Sequence, residues 1–295
     1  MTDSAVEPLA GLIAAGRALL GSSRNILILT GAGISADSGL ATFRDPQGHW
    51  RKHRPEDLAT PEAFQRDPRL VWEWYEARRQ AAAAVAPNAA HEAIASFALR
   101  RDDVVIVTQN VDGLHTLAAR AVAGAPLDGA ENTPTRRESG SEHVDPRGSQ
   151  WNAPADLRRA LPLELHGCFY RVRCLLCGRR REHRERVDTS SAATLPRCPD
   201  CDGLLRPDVV WFGEPLGEPI DRAFGCASQS EVCLVVGTSA VVQPAAGVAM
   251  VTRRAGGSII EVNPEPTPLT SKSELSIRGT AAAVVPALLS ESASG

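Results

Sequence analysis

Ile26-Leu27-Ile28-Leu29-Thr30 runs straight into Gly31-Ala32-Gly33-Ile34-Ser35-Ala36. A short, unbroken apolar run of this kind reads as a parallel strand buried on both faces. Glycines directly after it permit a tight turn and let backbone N–H groups close on a pyrophosphate where the next helix begins. Taken alone, the same pattern is also that of a turn with no ligand. A dehydrogenase would next show a second strand ending in an acidic residue about 20 positions on. Here the chain continues into Phe43-Arg44-Asp45 and a polar, proline-containing stretch. A phosphate cradle fits this sequence; the ordinary dehydrogenase layout does not.

Further along, Val104–Val107, Val232–Val236, Ile259–Val262 and, less clearly, Ala281–Val285 repeat the apolar-run pattern. Helical periodicity lies between them, over Pro61–Ala84 and His91–Arg100. Strands alternating with helices indicate an α/β fold built on a doubly wound, Rossmann-like parallel sheet. Such sheets bind ligands beyond the carboxyl ends of their strands, near a switch in strand order. The ends here read Thr108-Gln109-Asn110-Val111-Asp112, Gly237-Thr238-Ser239 and Asn263-Pro264-Glu265. Each alone suits turn and capping chemistry as readily as a ligand. Together on one edge of one sheet, they make a nucleotide site the better reading.

The 295 residues suffice for one large α/β domain, or for one with a small companion. A composition 43% hydrophobic and 23% charged is that of a globular chain, and a net charge of −3 argues against an electrostatic grip on nucleic acid or an anionic membrane. No apolar run is long enough to span a bilayer. The start carries Asp3 and Glu7 before a broken apolar stretch, unlike a secretory signal. A cytoplasmic location is the expectation.

Of seven cysteines, four form two tight pairs, Cys174-x-x-Cys177 and Cys198-x-x-Cys201, twenty residues apart. That spacing is typical of a tetrahedral zinc site, and four thiolates leave no open coordination position, so the metal is structural. Cys168, Cys226 and Cys233 read as small buried hydrophobes. The expected organisation is a Rossmann-like unit over 1–43, 88–120 and 205–295, a helical segment over 44–87 and a zinc module over 164–204. Residues 121–160, rich in Gly, Pro, Ser, Arg and Glu, read as a flexible insertion.

These segments, with Leu165-His166-Gly167 and Val209-Val210-Trp211-Phe212-Gly213-Glu214, stand in an order that resembles the sirtuin family. The likeness spans most of the chain, excepting its first twenty-odd residues and the 121–160 insertion. It implies that NAD and an acylated lysine meet in a cleft between the two units. By the family pattern, NAD is held by Gly31, Ala32, Gly33, Ala36, Thr42, Phe43, Arg44, Trp50, Gln109, Asn110, Val111, Asp112, Gly237, Thr238, Ser239, Asn263, Pro264, Glu265 and Ala281. His166 corresponds to the general base; a neutral imidazole suits proton removal from a ribose hydroxyl. From the residues alone, a histidine beside a glycine is more often structural. Val209 to Glu214 would pair with the substrate peptide as an added strand, with Val210 to Glu214 as the substrate-binding residues and Trp211 and Phe212 either lining the lysine tunnel or filling core. The implied reaction consumes NAD, releases nicotinamide and leaves the acyl group on ADP-ribose.

Val71-Trp72-Glu73-Trp74-Tyr75-Glu76-Ala77-Arg78-Arg79 bears on the acyl group. On a helix Tyr75 and Arg78 share a face, and an arginine fork beside a phenol suits a carboxylate. Spacing alone equally describes an aromatic helix with a solvated arginine. The pair resembles the Tyr-x-x-Arg signature of the sirtuin branch that removes succinyl, malonyl and glutaryl groups. Rival expectations are a plain deacetylase, a protein ADP-ribosyltransferase, which His166 argues against, and a zinc-ribbon module that only senses nucleotide.

Overall fold

Prolines and caps decide where the helices begin. In a computed structural model, which describes residues 6–41, 55–125 and 155–290, the region expected as one helix from Pro61 to Ala84 is two. Thr60 caps Pro61–Arg66, Asp67 caps Pro68–Ala83, and each helix places proline at its first turn. Pro68 has no N–H to continue the first helix, so the chain breaks at Asp67 and restarts.

In chain order the strands are β1 Ile26–Thr30, β2 Val104–Thr108, β3 Leu163–Glu164, β4 Gly167–Cys174, β5 Arg180–Glu182, β6 Leu205–Val209, β7 Val232–Val236, β8 Ser258–Val262 and β9 Leu275–Ile277. The helices are α1 Val6–Ser22, α2 Gly33–Ala36, α3 Pro55–Leu58, α4 Pro61–Arg66, α5 Pro68–Ala83, α6 Ala89–Arg100, α7 Leu114–Val122, α8 Ala155–Ala160, α9 Glu218–Gln229, α10 Gly247–Arg254 and α11 Ala281–Leu289. Six strands form a parallel sheet in the order β3-β2-β1-β7-β8-β9; β5, β4 and β6 form a second, antiparallel sheet. From β1 the chain builds outward to β2 and β3, then returns to place β7, β8 and β9 on the other side. The switch point therefore lies between β1 and β7.

Every residue of β1 and β7 is buried. Ile26, Ile28, Val232 and Leu234 pack into a core shared with Ile94, Val284 and Leu288 of α6 and α11. Leu27, Leu29, Cys233 and Val235 face Ala223, Ala227 and Val248 of α9 and α10. A third core beneath the small sheet joins Phe64, Trp72 and Tyr75 to Phe169, Val172 and Trp211. Burying side chains of this size stabilises the fold by roughly 2–3 kcal/mol each.

Three expectations change. Ala281–Val285 is the start of helix α11, not a strand; its buried positions Ala281, Val284, Val285, Leu288 and Leu289 follow helical spacing. Leu205–Val209 pairs with β4 in the small sheet, so the chain returns to the large sheet only after it. Within the 121–160 stretch, residues 121–125 continue and close α7 and residues 155–160 form α8; the rest lies outside the described residues.

Candidate functional site

The loops after β1 and β7 touch backbone to backbone at the switch point. Gly31 N–H donates to the Val236 carbonyl at 3.0 Å, and Gly33 N–H to the Gly237 carbonyl at 2.7 Å. Gly237 has φ +61°, and a Cβ there would sit 2.4 Å from the Ile34 nitrogen. Only glycine allows this approach. Thr238 then ties the neighbouring strand ends together. Its hydroxyl accepts from Gln109 Nε2 at 3.0 Å, and its carbonyl from Asn263 Nδ2 at 2.8 Å.

Under this face lies a buried polar network. Ser35 Oγ donates to Asp112 Oδ2 at 2.8 Å and accepts from Asn110 Nδ2 at 3.2 Å. His91 Nδ1 accepts the Asn88 N–H at 3.3 Å, which leaves the proton on Nε2, 3.4 Å from Ser35 Oγ. The His91 ring meets that of His115 edge to face, 4.9 Å between centroids, and His115 Nε2 reaches Thr30 Oγ1 at 2.9 Å. Burial lowers His91 to about 4. Burial and then the nearby His91 hold His115 well below the usual histidine value. Both rings are neutral near pH 7. Asp112 is raised by burial, opposed by its bonds from Leu114 N–H and Ser35.

His166 projects between the two sheets. Its N-terminal neighbour Leu165 bonds to the Thr108 carbonyl, and its own carbonyl accepts the Val210 N–H at 2.9 Å. Gly167 next to it has φ +80°, and a Cβ would lie 2.0 Å from the Asp208 oxygen, so no other residue fits this turn. His166 Nδ1 stands 2.9 Å from the Gln109 carbonyl. A carbonyl only accepts, so Nδ1 carries the proton and Nε2 keeps its lone pair. Burial lowers the His166 pKa, with the Gln109 bond opposing. A neutral, partly enclosed imidazole with a fixed tautomer, and with no partner on Nε2 among the described residues, is equipped to take a proton.

On the small-sheet side Tyr75 is buried and accepts a hydrogen bond from Trp211 Nε1 at 2.9 Å. Arg78 lies 3.8 Å over the Trp74 ring, and burial lowers its pKa to about 9, with Tyr75 raising it. Glu214 Oε2 accepts the Trp211 backbone N–H at 2.9 Å, and Arg206 Nη1 donates to Glu214 Oε1 at 2.6 Å. Phe212 N–H donates to the Ala59 carbonyl while its side chain is exposed, and the backbone of Gly213 beside it is exposed too.

The thiol sulfurs of Cys174, Cys177, Cys198 and Cys201 lie within 4.8 Å of one another, with Cys174–Cys201 at 3.5 Å and Cys177–Cys198 at 3.7 Å. Tetrahedral zinc with sulfur ligands at about 2.3 Å places its sulfurs about 3.8 Å apart, so the cluster fits zinc. The N–H groups of Leu176 and Cys177 point at Cys174 Sγ. The remaining cysteines, Cys168, Cys226 and Cys233, stand outside this cluster.

Gly31, Ala32, Gly33, Gln109, Asn110, Asp112, Gly237, Thr238 and Asn263 are thus gathered on one face. Ser239, Pro264 and Glu265 follow on the same loops, Ala36 is exposed at the end of α2, and Val111 accepts the Phe169 N–H of β4. Ala281 opens α11, where Asp37 Oδ2 accepts the Ala282 N–H at 2.9 Å. Thr42, Phe43, Arg44 and Trp50 lie outside the described residues. Sequence reasoning passed over Thr30, Ser35, His91 and His115. Asn88-x-x-His91, a cap that bonds reciprocally at the start of α6, was the available signal for one of them.

Sheet order, crowded strand ends and a thiol cluster define a Rossmann-like α/β protein with a candidate nucleotide site and a cysteine site that fits zinc. A family model described as the Sir2 family matches residues 31–124 and 159–244. The chain is 41% identical to the NAD-dependent protein deacylase of Pyrococcus furiosus, over 92% of this chain and 95% of that one. It is 42% identical to the NAD-dependent protein deacylase of Thermococcus kodakarensis, over 92% of each. A solved Sir2 homologue–NAD complex superimposes with a TM-score of 0.73 at 36% identity, covering 95% of this chain and 92% of that chain. The chain belongs to the Sir2 family. Among the described residues, no helix is long and apolar enough to cross a membrane.

Proposed function

We propose that this protein is an NAD-dependent protein-lysine deacylase with a preference for acidic acyl groups, namely succinyl, malonyl and glutaryl, and some action on acetyl. The observation that carries the deacylase reading is the His166 imidazole, pinned through Nδ1 to the Gln109 carbonyl with Nε2 left to accept a proton. Relatives about 40% identical along nearly the whole chain share the deacylase name. The strand ends from Gly31 to Arg44, Gln109 to Asp112, Gly237 to Ser239 and Asn263 to Glu265, with Trp50 and Ala281, would hold NAD. Bound there, NAD supplies a ribose carbon that accepts the acyl oxygen as nicotinamide departs. His166 takes the proton of a ribose hydroxyl, and Val210 to Glu214 align the peptide. One water is consumed as the lysine amine is released, and the products are nicotinamide, O-acyl-ADP-ribose and free lysine. Cys174, Cys177, Cys198 and Cys201 would hold zinc, which would keep the small module in shape and touch no reactant.

Tyr75 and Arg78 support the acidic-acyl preference: a buried phenol beside a guanidinium suits a carboxylate. The guanidinium resting on the Trp74 ring is what favours the rival reading, a plain deacetylase. Nicotinamide release over a panel of acyl-lysine peptides tests the proposal. Arg78→Met should cut desuccinylation on the order of 100-fold more than deacetylation, a loss of about 3 kcal/mol. Equal losses on both substrates would remove the acidic-acyl preference. No release with any peptide would remove the deacylase reading.

A further inference from the structure

Tyr75 and Trp211 are each 2% exposed, and the indole N–H lies 2.9 Å from the phenol oxygen. An indole N–H can only donate. The Tyr75 oxygen is therefore the acceptor of this bond, and its own hydrogen must be directed elsewhere. Among the described residues, the phenol has no second hydrogen-bond partner. Leaving a buried donor unsatisfied is costly, so the pocket favours a ligand that brings an acceptor.

Trp211 is itself held from three sides. Its backbone N–H donates to Glu214, the Arg206 guanidinium lies 3.3 Å over its ring, and Phe64 packs at 5.2 Å. Arg206 is fixed in turn by two bonds to Glu214, at 2.6 and 2.9 Å, and one to the Val209 carbonyl. These contacts hold the indole in the orientation that bonds the phenol. A cation over the ring face also draws electron density from the indole and strengthens its N–H as a donor.

We propose that Trp211 is a specificity-positioning residue: it occupies the acceptor side of Tyr75, so that the phenol hydrogen is presented to the acyl group and selects a carboxylate over a methyl. This rests on the acidic-acyl reading of Tyr75 and Arg78 and assigns the orientation of that pair to a residue on the opposite element. Burial keeps the phenol protonated, and Arg78 lies close enough to act on it electrostatically. A carboxylate then receives a charged and a neutral donor from adjacent positions, whereas an acetyl methyl uses neither.

The test compares kcat/KM on succinyl- and acetyl-lysine peptides of one sequence for the full-length wild type, Trp211→Phe, Tyr75→Phe and the double variant. Phenylalanine keeps most of the packing and deletes the N–H. Trp211→Phe should lower the succinyl-to-acetyl ratio about ten-fold. The double variant should fall no further than Tyr75→Phe alone, because both changes break one unit. Equal losses on the two substrates, or additive losses, overturn the proposal. If Trp211→Phe does not fold, the wild type labelled with 15N-tryptophan answers the same question. The indole resonance that moves in Tyr75→Phe should shift more with the succinyl than with the acetyl peptide, and equal shifts overturn the proposal. Arg78→Met, run alongside, separates the two levels. If it spares the ratio, the acidic-acyl reading falls and this inference with it. If it collapses the ratio while Trp211→Phe does not, only this inference falls.

Discussion

The strand-end face of the large sheet and the small antiparallel sheet solve the problem of buried polar groups in opposite ways. On the strand-end face of the large sheet the polar groups are mostly uncharged: hydroxyls, amides, two neutral histidines and glycine loops in contact surround the buried carboxylate of Asp112, which is held by hydrogen bonds and not by a cation. Around the small sheet they are charged. Arg171 bridges Glu164 and Asp208, Arg180 also reaches Asp208, Arg206 meets Glu214, and four thiols gather at the tip. A neutral network depends on shape and tolerates no added atoms. A charged one depends on partners, and removing one partner strands the other in a place where burial makes it expensive.

Metal removal should break this comparison most sharply. The small sheet's core reaches Cys174 and Cys198 directly, and a structural zinc of this type contributes on the order of 10 kcal/mol to folding. Stripping the metal should abolish deacylation and lower the melting temperature, while elemental analysis of untreated protein should find one zinc per chain. Metal-free protein that keeps full activity would sink the structural role.

Gly237→Ala is the corresponding injury to the neutral side. It demands a left-handed backbone of a residue with a Cβ, 2.4 Å from the Ile34 nitrogen. A cost of about 2–4 kcal/mol is expected, with weakened NAD binding and unchanged zinc content. Thermal melts and NAD titration read it. Gly11→Ala, on helix α1 with nothing within 4 Å of its added Cβ, should stabilise by up to about 1 kcal/mol. Similar behaviour of the two variants would show that close approach is not what matters at the switch point.

What was legible from sequence follows the same division. The β1 run and its glycines were readable because one short segment contains the strand, the turn and the reason for both. The cysteine pairs were readable because metal geometry fixes their spacing. Ala281–Val285 misled because a run of small apolar residues fits a strand or a helix until packing against α6 decides. The Leu163–Glu164 and Leu275–Ile277 strands are too short to show a period at all. His91 and His115 come from different helices, and their role appears only when the sheet brings both beneath Asp112. The Trp211–Tyr75 bond spans 136 positions, a separation across which no local pattern can speak.

A conditional effect, absent near neutral pH, is the acid sensitivity contributed by that histidine pair. His91 titrates at about 4 when folded, against an ordinary value of about 6.5 when unfolded. Above the unfolded value both states are neutral and burial of the ring carries no protonation cost. As pH falls from about 6.5 to about 4, the unfolded chain takes up a proton that the folded chain refuses. Stability is lost across that window, by at most about 3 kcal/mol, and the loss levels off below it. His115 on α7 acts in the same direction. Asp112, raised by burial, binds its proton more readily folded than unfolded and so opposes the loss as it takes up that proton. Denaturation midpoints near neutral pH and near pH 5 should therefore draw together in His91→Gln relative to the wild type. An unchanged difference between the two midpoints would mean that the network beneath Asp112 admits a proton after all, and that the neutral side of the molecule is not neutral by construction.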